Sequence, residues 1–394
     1  MRTSASRPQA HERAGFALFA LGFRPFYLLA AAFAAISVPL WAAQFSGWLP
    51  APYLRGPLWH GHELLFGYTM AVIAGFLLTA VRAWTGRATP TGAPLMALAA
   101  LWVAGRVLVL TPFDVAAAAV NAAFPVALAV AIGIPLRRAG NVRNYFFPGL
   151  LVLLGGLVLA LHLSLRGTIE AAPRLELALG LDVVMFIMAV IGGRVIPMFT
   201  NNGVPGTGAV RHPAVEKLAL GSLLLLFAAD LLQPPPVALG AVALIAAIAH
   251  AARWALWRPW RTLGAPLVWI LHAAYAWIVA HLALRAMAGA GWIAGSVAVH
   301  ALTVGAIGGL TLGMMARTSR GHTARPLVAD GWEKACFLLI QAAAAMRVLG
   351  GIVRPEAYLT SLQASALLWT AAFGLFAVRY WPVLTRPRLD GQPG

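Results

Sequence analysis

Two histidines, His60 and His62, stand two residues apart near the start of a long apolar segment, in the sequence Trp59-His-Gly-His-Glu63. Ionisable side chains are expensive in or beside lipid, and those kept there usually bind or transport something. In a helix each residue adds about 100° of rotation, so the two imidazoles would point about 200° apart. One helix would therefore offer a metal ligand to each of two neighbouring sites.

Further histidines lie in or at the edge of apolar segments: His162, His272, His281 and His300. Neutral imidazole is a common ligand of haem iron, copper and zinc. A single membrane histidine is more often a hydrogen-bonded packing residue, so the grouping is what favours metal binding. We predict that His300 pairs with His60 or His62 from another helix, as a haem held between two axial ligands requires. The other histidine of that pair would then face a copper site.

Three charged residues extend this prediction. Glu63 follows His60 by three residues on the same helix face and would orient its imidazole through the second ring nitrogen. Its alternative is an interfacial carboxylate that faces water. Arg106 and Arg347 also lie within apolar segments, where haem propionates would give them charge-assisted partners. For Arg106, the alternative partners are Asp114 and backbone carbonyls.

The composition is that of an integral membrane protein. Of 394 residues, 61% are hydrophobic and 10% are charged, against about a quarter charged in soluble domains. Apolar runs of about 20 residues recur along the chain, and each can cross about 30 Å of hydrocarbon. We predict an all-α polytopic protein in which residues 21–383 form a single domain of about twelve spans, between a cytoplasmic segment 1–20 and a cytoplasmic tail 384–394. The predicted span centres are Phe33, Val72, Val103, Ala127, Leu157, Ile187, Leu224, Ala243, Tyr275, Gly305, Ala342 and Leu368.

The net charge of +17 follows the membrane topology. With twelve spans and the N-terminus inside, 21 of the 29 basic residues fall on the inner side, 5 on the outer side, and the remaining 3 within spans. This bias is the positive-inside rule, which predicts both termini in the cytoplasm and excludes a nucleic-acid surface. The lone Cys336 excludes a cysteine-ligated iron–sulfur cluster or structural zinc site within this chain.

A weak repeat is one interpretation of the glycine spacing. Gly75, Gly192 and Gly309 are separated by equal intervals in spans two, six and ten, as three pseudo-repeats of four helices would require. The alternative is chance in a chain with 39 glycines, together with close helix packing.

Motifs at several separate places resemble those of the NnrS family, and the resemblance runs from about residue 15 to the last span. Gly61 stands where the family usually has alanine or another small residue, and Arg82-Ala83 where a proline often precedes Trp-Thr-Gly. His162 and His281 lie outside the motifs, so the resemblance does not support them as ligands. It gives more support to His272. The matching motifs are Leu21–Phe26, Trp59–Tyr68, Ala74–Ala80, Gly193–Thr200, His300–Gly309 and Gly313–Thr323.

This resemblance implies an inner-membrane protein that contains haem b and copper and relieves nitric oxide stress in denitrifying-type bacteria. The metal ligands expected from it are His60, His62, His300 and His272, together with His322 in the Gly-His-Thr sequence, which alternatively ends a helix. It does not say which histidine binds which metal.

Three functions remain open from the sequence. The first is an oxidoreductase that reduces nitric oxide to nitrous oxide with electrons from an unidentified donor. The second is a haem protein that binds or senses nitric oxide, or another small diatomic ligand, without turnover. The third is a small-molecule or ion transporter, for which Asp182 and Asp230 are the carboxylates available for coupling.

Overall fold

The computed structural model describes residues 15–48, 53–353 and 355–392, which are helical without a β-strand. Each predicted span centre falls in one long helix. Residues 1–14 of the predicted cytoplasmic segment, and residues 393–394 of the tail, lie outside the described residues. The long helices are α1 Phe23–Phe45, α2 Gly56–Thr85, α3 Ala93–Leu108, α4 Asp114–Arg138, α5 Phe146–Leu165, α6 Pro173–Gly203, α7 Pro213–Leu232, α8 Pro236–Leu256, α9 Pro266–Gly289, α10 Gly295–His322, α11 Gly331–Val353 and α12 Tyr358–Thr385.

Within the described residues, nine helices are long and apolar enough to cross a membrane. The other three long helices are α3, α7 and α11. The prediction of an all-α, multi-pass membrane protein is therefore confirmed, while the count of twelve spans stays a prediction.

Prolines start several of these helices. α6, α7, α8 and α9 begin at Pro173, Pro213, Pro236 and Pro266. Proline suits this position because its φ is already helical and because an N–H there would have no partner inside the helix. At the end of α7, Gln233 adopts a left-handed conformation with φ of 51°. The short proline-rich link to α8 therefore forces a sharp reversal.

The centre of the bundle is formed by α2 and α10. Over their most apolar windows, 78% of the residues in α2 and 72% in α10 are buried within the protein, more than in the other apolar spans described. α2 packs against α1 and α4, whereas α10 packs against α9 and α11. The hydroxyl groups of Tyr68 on α2 and Thr311 on α10 are hydrogen-bonded to each other. The two helices that carry His60, His62 and His300 are thus directly joined.

Both central helices change from α to π geometry immediately after their histidines. In α2 the π segment is Glu63–Thr69, and in α10 it is Ala301–Gly308. The wider turn leaves backbone carbonyls to other donors: Thr69 Oγ1 donates to the Leu64 carbonyl at 2.8 Å, and Trp102 Nε1 donates to the Gly67 carbonyl at 3.0 Å. π segments occur frequently at functional sites.

A close approach between α8 and α9 requires glycine. A Cβ added to Gly289 would lie 2.9 Å from the Cα of Gly240 and 2.5 Å from the Pro236 carbonyl oxygen, so the backbones would have to separate. Small residues at such contacts let membrane helices pack closely.

We expect Gly289→Val to destabilise the protein by about 1–3 kcal/mol, the usual effect of overpacking. Thermal unfolding in detergent measures it. The matched control is Gly156→Val, also within a helix, where an added Cβ would meet no atom of the described residues within 4 Å. Equal melting temperatures for the two variants would contradict the prediction.

Candidate metal centres

A cavity of about 860 Å³ lies between α2, α6, α9, α10, α11 and α12. It sits at the end of the bundle where α2 and α10 begin. Apolar side chains such as Leu64, Leu177 and Trp369 form most of its wall. Its volume is in the range of sites that hold a cofactor or a drug-sized ligand, about 300–1,000 Å³.

His60 and His300 both line this cavity. The Nδ1–H of His300 donates to the Ser296 carbonyl oxygen at 2.6 Å. Because a carbonyl only accepts, the proton lies on Nδ1, and Nε2 keeps its lone pair for a metal. The His60 ring stacks on Trp41, with ring centres 4.6 Å apart, which fixes its plane.

His281 on α9 is a third imidazole in the cavity wall. Its Nδ1–H donates to the Ala298 carbonyl oxygen at 2.7 Å, and its Nε2 has no hydrogen-bond partner in the described part of the chain. Sequence motifs gave no reason to include it. The sequence did indicate that His281 lies in the outer half of its predicted span.

Three arginines border the cavity. Arg285 is occupied by carboxylates: Nη2 donates to both oxygens of Asp230 at 2.7 Å, and Nη1 lies 3.3 Å from Asp182. Arg347 Nη2 donates to the Tyr358 hydroxyl at 3.1 Å. Arg347 lines the same cavity as His60 and His300. Arg347 and Arg174 are therefore placed to meet an anionic group in the cavity.

His62 points away from this cavity and is completely buried. Its Nδ1 is 2.7 Å from Glu63 Oε1, and the same oxygen accepts a hydrogen bond from Arg106 Nη1 at 2.7 Å. Arg106 also donates to Asn121. The expected hydrogen bond between Glu63 and His60 is thus wrong: the carboxylate orients His62. Arg106, itself held by Asn121, lies on the His62 side of the helix and holds the carboxylate there.

The same contacts correct the expectation for Arg106. It lies on the His62 side of α2 and pairs with Glu63, not with a group in the cavity. Asp114, the alternative partner, binds Arg166 at 2.7 Å. Of the two arginines expected at a haem, Arg347 alone faces the cavity.

The structure brings His162, at the end of α5, against His62. The ring centres are 5.0 Å apart, with an angle of 74° between the planes. His162 Nδ1 is 2.8 Å from the Tyr53 hydroxyl, and the Nε2 atoms of both histidines have no hydrogen-bond partner among the described residues. Sequence reasoning missed this pair because His162 is 100 residues from His62 and outside the recognised motifs.

His272 and His322 lie elsewhere. His272 Nε2 is 2.7 Å from Thr200 Oγ1. Since that hydroxyl already donates to the Ile196 carbonyl at 2.8 Å, the histidine is the donor. His322 ends α10, with its ring 5.6 Å from that of Phe23. At about 1.5 Å of rise per residue it is roughly 30 Å from His300.

The residues present fit a haem in the cavity and a bare metal ion beside His62. The cavity has the volume for a macrocycle, imidazoles on two facing helices and cations for propionate groups. His62 and His162 are both fully buried and are not among the residues that line the cavity. The space between them therefore suits an ion but not a macrocycle. No cluster of three or more histidine, cysteine or acidic ligands occurs in the described ranges, so this site would be a histidine pair.

Comparison with known proteins agrees with the sequence motifs. A search of curated proteins finds no match. A family model described as "NnrS protein" matches residues 17–388, nearly the whole chain. Because the match covers far more than half of the sequence, the protein belongs to the NnrS family.

Proposed function

We propose that this protein is a haem b- and copper-containing membrane protein that binds nitric oxide and relieves nitrosative stress. The observation that supports this proposal most is the cavity whose wall contains both His60 and His300, from the two central helices. Membership of the NnrS family supports the identity of both cofactors and of the ligand.

In this proposal the chain's own residues form and orient the pocket. His60 and His300 would hold the haem, and the backbone carbonyl of Ser296 keeps the His300 proton on Nδ1. Arg347 and Arg174 neutralise the propionates. A bound haem supplies an iron that takes up a diatomic ligand and changes oxidation state. The apolar wall limits water and admits a small apolar gas such as nitric oxide.

The proposal also sets the orientation in the membrane. The excess of basic residues on one side supports an orientation with both termini in the cytoplasm and the His60 end of the bundle toward the outside. All twelve long helices then serve as spans of a bacterial inner-membrane protein. In this orientation residues 1–20 and 384–394 are assigned to the cytoplasm.

Transport receives less support from the described structure. Asp182 and Asp230, the carboxylates considered for ion coupling, share the guanidinium of Arg285. An ion pair of this kind holds α6, α7 and α9 together. Each of the two carboxylates therefore already has a cationic partner.

Adding nitric oxide anaerobically to the reduced, purified protein tests the proposal. We expect the haem absorption spectrum to change with a saturable dependence on nitric oxide. Headspace nitrous oxide then separates catalysis from binding, since reduction consumes two nitric oxide molecules, two protons and two donor electrons and yields nitrous oxide and water. A spectrum unchanged at saturating nitric oxide would contradict the proposal.

A further inference from the structure

The contact between α2 and α5 contains two buried imidazole nitrogens that the fold does not satisfy. His62 and His162 are both 0% exposed, and the Nε2 of each has no hydrogen-bond partner within the described chain. Buried polar atoms are nearly always paired, and leaving one unpaired costs about 1–3 kcal/mol. A single metal ion between the two rings would satisfy both atoms.

The opposite nitrogen of each ring is held by a specific partner. For His62 the Glu63 carboxylate, an acceptor, fixes the proton on Nδ1. For His162 the partner is the Tyr53 hydroxyl. A hydroxyl can accept as well as donate, and with Tyr53 accepting from the Nδ1–H of His162 the Nε2 lone pairs of both histidines are available to a metal.

The ring separation also fits one shared ion. A metal about 2 Å from each nitrogen lies roughly 3 Å from each ring centre, so two rings on one ion have centres up to about 6 Å apart. The observed separation is 5.0 Å.

We propose that His62 and His162 bind one copper ion, as Cu(I), through their Nε2 atoms. The identity of the metal rests on the proposed function, whereas the site rests on the pair itself. Zinc in protein sites takes four ligands, or three with a water, but no third histidine, cysteine or carboxylate joins the pair in the part of the chain described. Imidazole suits copper, and a singly charged ion is the easier one to bury beside an already paired carboxylate.

A second set of residues positions the ligand. Arg106 binds Glu63 on one side and Asn121 on the other, so the carboxylate is held against His62. Gly67 leaves the space for this guanidinium, because an added Cβ would collide with Arg106 Nη1. Glu63, Arg106 and Tyr53 are therefore positioning residues, whereas the two histidines are ligands.

X-ray absorption at the copper edge of Cu(I)-loaded, purified wild-type protein is the primary test, with metal and haem analysis of variants beside it. We expect a first shell of two histidine nitrogens. His162→Gln should lose the copper and keep the haem spectrum, which also shows that the variant is folded. Glu63→Gln and Tyr53→Phe should bind Cu(I) about 10–100-fold more weakly in competition with a chelator, since they remove only outer partners. The matched control, Ser164→Ala on the same helix, should bind like the wild type.

The outcomes separate this inference from the proposed function. Copper that stays in His162→Gln, or a wild-type copper shell containing sulfur, would overturn the site. A haem protein that takes up no Cu(I) would do so as well, while leaving the haem proposal standing. Copper bound by two imidazoles in a protein without haem would support the site and overturn the haem proposal.

Discussion

Replacing His300 by alanine is expected to release the haem or leave it with a single axial ligand. The hydrogen bond to the Ser296 carbonyl fixes the proton of His300 on Nδ1, so its Nε2 keeps a lone pair for iron. Removing a ligand should weaken retention by more than the roughly 10–100-fold loss that follows removal of an outer partner. Haem content per protein and the reduced spectrum of the purified variant measure the effect.

The matched control for His300→Ala is Thr303→Ala. Thr303 lines the same cavity on the same helix, and its hydroxyl donates to the Val299 carbonyl at 3.1 Å. This variant should keep its haem. If His300→Ala retained a full complement of six-coordinate haem, the assignment of the cavity to a His60–His300 pair would be wrong.

Replacing Arg253 by methionine is expected to destabilise the protein by about 3–5 kcal/mol, the usual effect of breaking a buried ion pair from one side. Arg253 is 1% exposed and donates to both carboxylate oxygens of Glu216, at 2.9 and 2.7 Å. It also donates to the Ala189 carbonyl and the Tyr275 hydroxyl, and so joins α6, α7, α8 and α9. The readout is the melting temperature in detergent, which should be lower than that of the wild type.

Arg211→Met is the control for Arg253→Met because Arg211 binds the same carboxylate, at 2.9 Å, with 43% of its side chain exposed. Exposed pairs contribute about 0–1 kcal/mol, so this variant should unfold near the wild-type temperature. Gly193→Ala disturbs the same network in a second way, since its Cβ would collide with the Arg253 guanidinium. This variant should also melt below the wild-type temperature. Should Arg253→Met melt no lower than Arg211→Met, the buried network would not stabilise the fold.

The helices were predictable because lipid imposes a simple pattern. Apolar length, prolines and the charge bias located every span centre within an observed helix. The π segments were not predictable from the sequence, because glycines and threonines at those positions are compatible with an α-helix as well. The contact of Glu63 with His62 was not predictable either, because it accompanies the tertiary pairing of Glu63 with Arg106.

The histidine pairs were partly predictable. The spacing of two residues predicted that His60 and His62 lie on opposite faces of their helix. The predicted depth of His300 in the membrane indicated that it could pair with one of them. The approach of His162 depends on how α5 packs against α2, a tertiary contact that no local pattern encodes. The position of His281 in the cavity wall also depends on tertiary packing.

The glycine repeat stays a prediction, and packing accounts for the glycines individually. A Cβ on Gly75 would collide with Tyr27, and one on Gly309 with Ala274, whereas Gly192 lies in ordinary contact distance of Tyr275. The likeness that the structure does show is between α2 and α10, each with a histidine immediately before a π segment.

The most direct test of the central claim is the reduced-minus-oxidised optical spectrum of the purified wild-type protein, with iron and copper quantified in the same sample. The account predicts a haem b spectrum with stoichiometric iron, and copper bound alongside it. A colourless, iron-free protein that still protected cells against nitric oxide would contradict the haem site in the cavity and favour transport.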